Sequence, residues 1–320
     1  VLESNKKGQH RDMSMTRDSK STELSKAINI GFIGLGSMGS RMAAHLCARS
    51  YRVKGYDVRA EARAAFEKEG GIWADAAKDT ALGADFLVLM VVNVAQAEQL
   101  LFEAGVLDAL PKESGVVLMA TCPAADVERI SKAVTKTGRS FVDAPVSGGV
   151  AGAASATLTI MAACANETFS RVEPLLQAMG DKVHHVGSIP GQGALVKTIN
   201  QLLCGVHLAA AAEAVSLGAQ ADIDPQILIN IFSESSASSW MLRDRGSRMI
   251  AGEPQVTSAI DIFVKDLGIV LDAGQRLKAP TPLASIAQQM FLAVSGQGFG
   301  QVDDSQVVRA YRAMTGVLGR

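Results

Sequence analysis

Three short stretches of this 320-residue chain carry residue types at spacings that could do chemistry. The first is Gly34-Leu35-Gly36-Ser37-Met38-Gly39, a GxGxxG arrangement. In such a loop the first glycine permits a tight turn. The second lets a pyrophosphate approach the backbone, and the third lets helix pack on strand. Asp57 follows roughly 20 residues later, the spacing at which a carboxylate meets the ribose of a bound dinucleotide. That carboxylate accepts hydrogen bonds from ribose hydroxyls and repels a 2′-phosphate, which favours NAD over NADP. Arg59 argues the other way, because a nearby guanidinium could receive that phosphate. Val92 and Asn93, just past another apolar run, join the cofactor-binding candidates.

The second stretch is Asp143-Ala-Pro-Val-Ser147-Gly148-Gly149. Two glycines after a serine let backbone N–H groups converge on an anion, although these residues alone fit an ordinary turn. The third stretch holds Lys197, Asn200 and Gln201 at i, i+3 and i+4, on one helix face. They interrupt Leu195, Val196, Ile199, Leu202 and Leu203, and polar groups in such a setting must be satisfied or functional. A partly desolvated Lys197 has a lowered pKa and can act as general acid or base, the group an alcohol oxidation needs for its hydroxyl proton. Near a helix start it can equally snorkel to the surface. His207, near the Asn200 direction, reads as a hydrogen-bonded core histidine. His184 and His185 are adjacent on an expected strand and point to opposite faces, so they are not read as ligands. No ligand cluster for a metal is found, and none is expected.

The elements that must position these groups follow from hydrophobic patterning. Strands are expected over 28–33, 52–56, 86–91, 116–119, 141–142, 158–161 and 182–186, with helices between most of them, such as 41–49, 60–68 and 126–136. That alternation predicts a mostly parallel sheet with helices on both faces. Strand signals stop near Ile189-Pro190-Gly191. Beyond them a helix over 193–221, about 43 Å long at 1.5 Å per residue, is apolar almost all round and therefore expected to be buried. Asp224-Pro225 reads as an N-cap followed by proline at the first helical position. Further helices are expected over 259–277 and 283–294. The organisation is then a polar arm over 1–26, expected to be disordered, a sheet domain over 27–190 and an all-α domain over 191–320.

Composition narrows the function classes. Lys plus Arg is 31 against 32 for Asp plus Glu, which argues against a nucleic-acid footprint. The most apolar stretch, 193–212, carries Lys197, Asn200, Gln201 and His207, so no membrane span is expected. The arm lacks the apolar core of a secretory signal. Four cysteines without a CxxC pair fit a reducing, cytoplasm-like compartment.

Taken together, the motifs resemble the β-hydroxyacid dehydrogenase family from residue 27 to the C-terminus. GFIGLGSMG, DAPVSGG, GxxxKxxN over 193–200 and Lys265-Asp266-Leu-Gly stand in that family's order. The resemblance implies a doubly wound α/β Rossmann domain followed by an all-α domain with a long central helix, usually as homodimers or homotetramers. It implies that Lys197 is the catalytic acid/base and that Ser147, Gly148 and Gly149 hold the substrate carboxylate. Thr121 and Lys265 match cofactor-proximal positions. Where NADP-using members carry Asn-Arg-Thr, this chain has Asp57-Val58-Arg59, again favouring NAD. Many members read K-x-x-N-N, but here Gln201 replaces the second asparagine, which touches substrate in that pattern. The surrounding residues are similar to the branch that oxidises four-carbon sugar acids such as L-threonate.

Two other readings stay open. The substrate could be 3-hydroxyisobutyrate, or tartronate semialdehyde run as a reductase. The chain could also be a non-catalytic dinucleotide-binding scaffold, which the presence of Lys197 disfavours.

Overall fold

The computed structural model describes residues 28–316, so the arm over 1–26 lies outside the described residues. The N-terminal half is a nine-stranded sheet. Its strands are β1 (Asn29–Ile33), β2 (Arg52–Tyr56), β3 (Ile72–Trp73), β4 (Phe86–Leu89), β5 (Gly115–Leu118), β6 (Ser140–Asp143), β7 (Val146–Ser147), β8 (Thr159–Ala163) and β9 (Lys182–Gly187). Their order across the sheet is β3-β2-β1-β4-β5-β6-β8-β7, with β9 paired to β8. The six strands from β3 to β6 run parallel, while β8 is antiparallel to both β6 and β7. The order reverses between β1 and β4, and ligands of doubly wound sheets bind outside the carboxyl ends of the strands at such a switch.

β4 and β5 are buried along their whole length. They are apolar without a polar face because helices cover both sides of the sheet. Phe86 and Val88 pack with Phe32, Met42 and Leu46 on one side, while Leu87 and Leu89 pack with Leu101 and Ile130 on the other. Two strands escape hydrophobic patterning. β3 and β7 have two residues each, too few for a period to show. The ladder of β4 stops at Leu89, two residues short of the expected end, which frees Val91 and Val92 to leave the sheet.

After β9 the described chain is helical: Gln192–Gln220, Pro225–Glu234, Trp240–Ile250, Ile260–Leu277, Pro282–Val294 and Val308–Thr315. Asp224 caps the second of these by accepting from the Gln226 N–H, with Pro225 at its first position. The 29-residue helix Gln192–Gln220 is the central member, packed against the five helices that begin at Pro225, Trp240, Ile260, Pro282 and Val308. By length and composition alone it could cross a membrane. Here Leu208, Ala212 and Val215 join Phe263, Leu267 and Phe291 in the second domain's core.

Burial of this helix is not complete, which corrects the expectation from its composition. Val196, Ile199, Leu203, His207 and Leu217 recur at helical spacing and are exposed in the single chain. His207 is therefore not a core histidine. The apolar pattern identified residues that avoid water without revealing which of them the same chain covers.

Candidate active site

β1 delivers the chain into the glycine loop, and steric fit explains the glycines. Gly34 sits at φ +98°, and a Cβ there would lie 2.3 Å from the Met90 carbonyl oxygen. A Cβ on Gly39 would lie 1.9 Å from the Gly34 oxygen. At Gly36, by contrast, a Cβ would meet nothing nearer than Arg59 Nη2 at 3.7 Å, so the second glycine faces open space. The helix Gly39–Ala48 starts at Met38 without a side-chain cap. The Ser40 and Arg41 N–H groups close onto the Gly36 and Met38 carbonyls, so the helix offers an anion its partial positive charge and the N–H groups of the loop just ahead of them.

Asp57, buried just past β2, braces this loop. Its Oδ2 accepts the Leu35 N–H at 2.8 Å, and its Oδ1 accepts Arg59 N–H at 2.9 Å and Arg59 Nε–H at 3.0 Å. Burial works to raise the Asp57 pKa, but the Arg59 hydrogen bonds and charge, with the Leu35 N–H, hold it below the ordinary carboxylate value. Leu35 offers only backbone, because its side chain is in the core. Arg59 lies alongside the loop but is already paired with Asp57.

A cavity of about 400 Å³ opens between the two halves. The glycine loop, through Gly36, Ser37, Met38 and Gly39, lines one side with Val92. Thr121 and Ser147-Gly148-Gly149 line its middle, and Lys197, Gln201 and Lys265 line the helical side. Gly34, Leu35, Asp57, Asn93 and Asn200 are not among the lining residues. Asn93 instead caps the helix Val94–Glu98 by accepting the Gln96 N–H at 3.0 Å. Asn200 accepts the Ser147 hydroxyl at 3.2 Å and so ties the long helix to β7. Ser147 is a strand residue paired with Thr159, and Gly148 at φ +124° turns the chain from that strand into the helix Gly149–Ser155.

Lys197 does not snorkel. It is 7% exposed, and its Nζ donates to Gln201 Oε1 at 2.6 Å. Gln201 Nε2 donates to Asp266 Oδ2 at 2.6 Å. Asp266 Oδ1 lies 2.8 Å from Lys265 Nζ, which donates to the Thr121 carbonyl at 3.1 Å. Desolvation lowers the Lys197 pKa below the ordinary lysine value, while the Asp266 carboxylate opposes that shift and Lys265 adds to it. The arrangement can hold an amine that exchanges a proton nearer neutral pH than a surface lysine does. Both ends of the Gln201 amide are engaged by protein, so this residue bridges Lys197 to Asp266 rather than presenting a free amide to a ligand.

Two acids at this site were not singled out by sequence reasoning. Asp266 was visible only as part of a motif. Asp143, just before Ala144-Pro145, accepts the Gly191 N–H at 2.8 Å and the Ala194 N–H at 2.9 Å. It therefore anchors the start of the helix that carries Lys197. Burial pushes its pKa up to about 6 against the lowering effect of those N–H groups. An acid ending an apolar strand is the signal that could have found it. Among the described residues no three His, Cys, Asp or Glu side chains group as a metal site would.

Comparison with known proteins adds an independent line. The profile of the NAD binding domain of 6-phosphogluconate dehydrogenase matches residues 29–187. The profile for NAD-binding of NADP-dependent 3-hydroxyisobutyrate dehydrogenase matches residues 191–311. L-threonate dehydrogenase of Cupriavidus necator is 40% identical over 284 residues, spanning 88% of this chain and 96% of that protein. L-threonate dehydrogenase of Escherichia coli strain K12 is 38% identical over 90% of this chain and 96% of its own length. Among solved structures, 3-hydroxyisobutyrate dehydrogenase from Salmonella typhimurium superposes with a TM-score of 0.84 at 38% identity, covering 88% of this chain and 99% of that one.

Proposed function

The chain belongs to the 3-hydroxyisobutyrate dehydrogenase-like family of β-hydroxyacid dehydrogenases, and on that premise we propose that it oxidises L-threonate to its 2-oxo acid with NAD. Dinucleotide-dependent dehydrogenation of a hydroxy acid is the family activity. L-threonate and NAD are the finer assignments. The observation that carries the reading is the buried Lys197 amine facing the glycine loop across one cavity.

Each residue group has a task in this reaction. The N–H groups of the glycine loop and the uncapped helix behind it bind the pyrophosphate. Asp57 receives the adenosine ribose, and its retained negative charge supports NAD over NADP. A bound nicotinamide dinucleotide supplies the hydride acceptor. Thr121 and Lys265 flank the end of the cavity that receives it, with Val92 on its sheet side. The Ser147 hydroxyl and the N–H groups of Gly148 and Gly149 orient the substrate carboxylate. Lys197, neutral, accepts the proton of the reacting hydroxyl. Gln201 and Asp266 fix its Nζ, and Asn200 fixes Ser147.

The exposed apolar stripe Val196, Ile199, Leu203 and Leu217 supports a homodimer or homotetramer assembled through the long helix. The four free cysteines support a reducing, cytoplasmic setting. Light scattering of wild type and of Ile199→Glu/Leu203→Glu tests the assembly: the variant dissociates if the stripe is the interface and keeps its mass if it is not.

Reduced-cofactor formation tests the reaction, using L-threonate, D-threonate, D-erythronate, 3-hydroxyisobutyrate and D-glycerate, each with NAD and NADP. The reading predicts turnover of L-threonate above the others and NAD above NADP. Turnover of 3-hydroxyisobutyrate alone would keep the chemistry and overturn the substrate. An NADP preference would overturn the role of Asp57.

A further inference from the structure

The wall of the cavity beyond Lys197 contains a buried ion pair with no task in the reaction so far. Arg245, on the helix Trp240–Ile250, is 7% exposed, and Asp304 is fully buried. They form a two-point fork: Arg245 Nε to Asp304 Oδ1 at 2.8 Å and Arg245 Nη2 to Asp304 Oδ2 at 3.1 Å. Arg245 Nη1 also donates to Asp244. The Arg245 guanidinium carbon lies 5.7 Å from the centre of the Trp240 ring. Arg245, Asp304 and Trp240 line the same cavity as Lys197 and Gln201, with Cys204 on the long helix among them.

Counting donors shows what this wall can receive. A guanidinium has five N–H groups, and the contacts above engage three. The remaining two have no acceptor among the contacts of Arg245. The charge of Arg245 is already matched by Asp304 and Asp244, so the wall gains little from a second anion. It presents unused Arg245 donors to the cavity, with the Asp304 carboxylate sealed behind the guanidinium. A hydroxyl oxygen accepts from such donors without adding charge, and two neighbouring hydroxyls can take one each. A methyl group does not, and would desolvate buried polar atoms without replacing their partners.

We propose that Arg245, held in place by Asp304, forms the subsite for the hydroxylated tail of the substrate, and that it selects polyhydroxy acids over acids with an apolar tail. This rests on the reading of the chain as a hydroxy-acid dehydrogenase. With the carboxylate on Ser147-Gly148-Gly149 and the reacting hydroxyl at Lys197, the tail extends towards Cys204, Arg245 and Trp240. Arg245 donates to the tail hydroxyls, Asp304 holds the guanidinium in place from behind, and Trp240 covers the carbon chain. These residues make no bond to the reacting carbon and move no proton in the reaction.

The test compares L-threonate with 2-hydroxybutanoate of matching configuration at the reacting carbon. The second acid has the same carbon count and no tail hydroxyls. Wild-type enzyme is expected to favour L-threonate in kcat/KM. Arg245→Lys keeps the charge and loses the fork. Arg245→Met/Asp304→Asn removes both charges, so neither is left buried alone if the single variant fails to fold. In both variants the ratio of kcat/KM for L-threonate over 2-hydroxybutanoate is expected to fall roughly 10- to 100-fold, the worth of one or two charge-assisted hydrogen bonds, mainly through KM. Parallel losses for both acids would make the pair a structural brace and overturn the inference alone, as would wild-type enzyme with no preference. Wild-type enzyme inactive on both acids would overturn the L-threonate reading and this subsite with it.

Discussion

On the sheet side of the cavity the chain presents backbone, through Gly36, Ser37, Met38 and Gly39, whereas on the helical side it presents Lys197, Gln201, Asp266 and Arg245. The two walls solve different problems. Recognition of a pyrophosphate needs N–H groups in a fixed curve, and glycine supplies that by taking conformations and close approaches other residues cannot. Discrimination among small acids needs particular side chains at particular depths, and those arrive from three helices far apart in sequence: Gln192–Gln220, Trp240–Ile250 and Ile260–Leu277. The backbone wall is rigid and generic, and the side-chain wall carries the chemistry. A change on the first side should cost fold and cofactor together, whereas a change on the second, Lys265 apart, should cost turnover or selectivity while the cofactor still binds.

Gly39→Ala is the strongest way to break the first half of that contrast. Its Cβ would fall on the Gly34 carbonyl, so the helix must move off the strand. The expected losses are about 2–4 kcal/mol of stability and most of the cofactor affinity. Urea unfolding and dinucleotide titration measure them. Unimpaired cofactor binding would show that the helix start is not the anion site.

Gln201→Leu acts on the opposite wall. It leaves Lys197 Nζ and Asp266 Oδ2 without their shared partner. Turnover is expected to fall about 10- to 100-fold with cofactor affinity unchanged. The pH profile sharpens the point. In the oxidative direction Lys197 must be neutral, so kcat/KM rises with pH through its pKa, which desolvation places below the ordinary lysine value. Removing the Gln201 acceptor, which favours the charged amine, moves that limb to lower pH. A limb that stays put would mean that another group titrates.

Asp143 joins the two walls, and its effect is the smallest. Its pKa of about 6 in the folded chain stands above the ordinary aspartate value of 3.8. Folding therefore takes up a proton between those two values, and this group's contribution to stability falls as pH rises through that window. Asp143→Asn should flatten that slope and leave stability at neutral pH within about 1 kcal/mol of wild type, because the amide oxygen still accepts from Gly191 and Ala194. Unfolding curves at pH values inside and above the window check this, and an unchanged slope would assign the titration elsewhere.

The same contrast explains what the sequence could reveal. GxGxxG, the apolar strands and the Asp224-Pro225 helix start are local patterns, and their elements stand where local reasoning put them, within a few residues. The position of Lys197 on a helix was also local information, because its spacing to Asn200 and Gln201 fixes one face. Its burial was left open, since that depends on helices 40 to 70 residues further on. Asp266, Asp304 and Arg245 carry no local mark that separates them from solvent-facing charges. Gln201 was legible as a cavity residue, yet its bond to Asp266 spans 65 residues and leaves no trace in spacing. The apolar stripe from Val196 to Leu217 shows the converse limit: composition announced an apolar face without saying that the single chain leaves it uncovered.

The central claim is that pyrophosphate binding and proton transfer reside on opposite walls, with Lys197 as the proton acceptor. The most direct test is Lys197→Met, with L-threonate oxidation and NAD affinity measured on the same preparation. The account predicts a loss of turnover on the order of 100- to 10,000-fold, the usual worth of a general base, with NAD affinity within about twofold of wild type. Turnover that survives the substitution would contradict it.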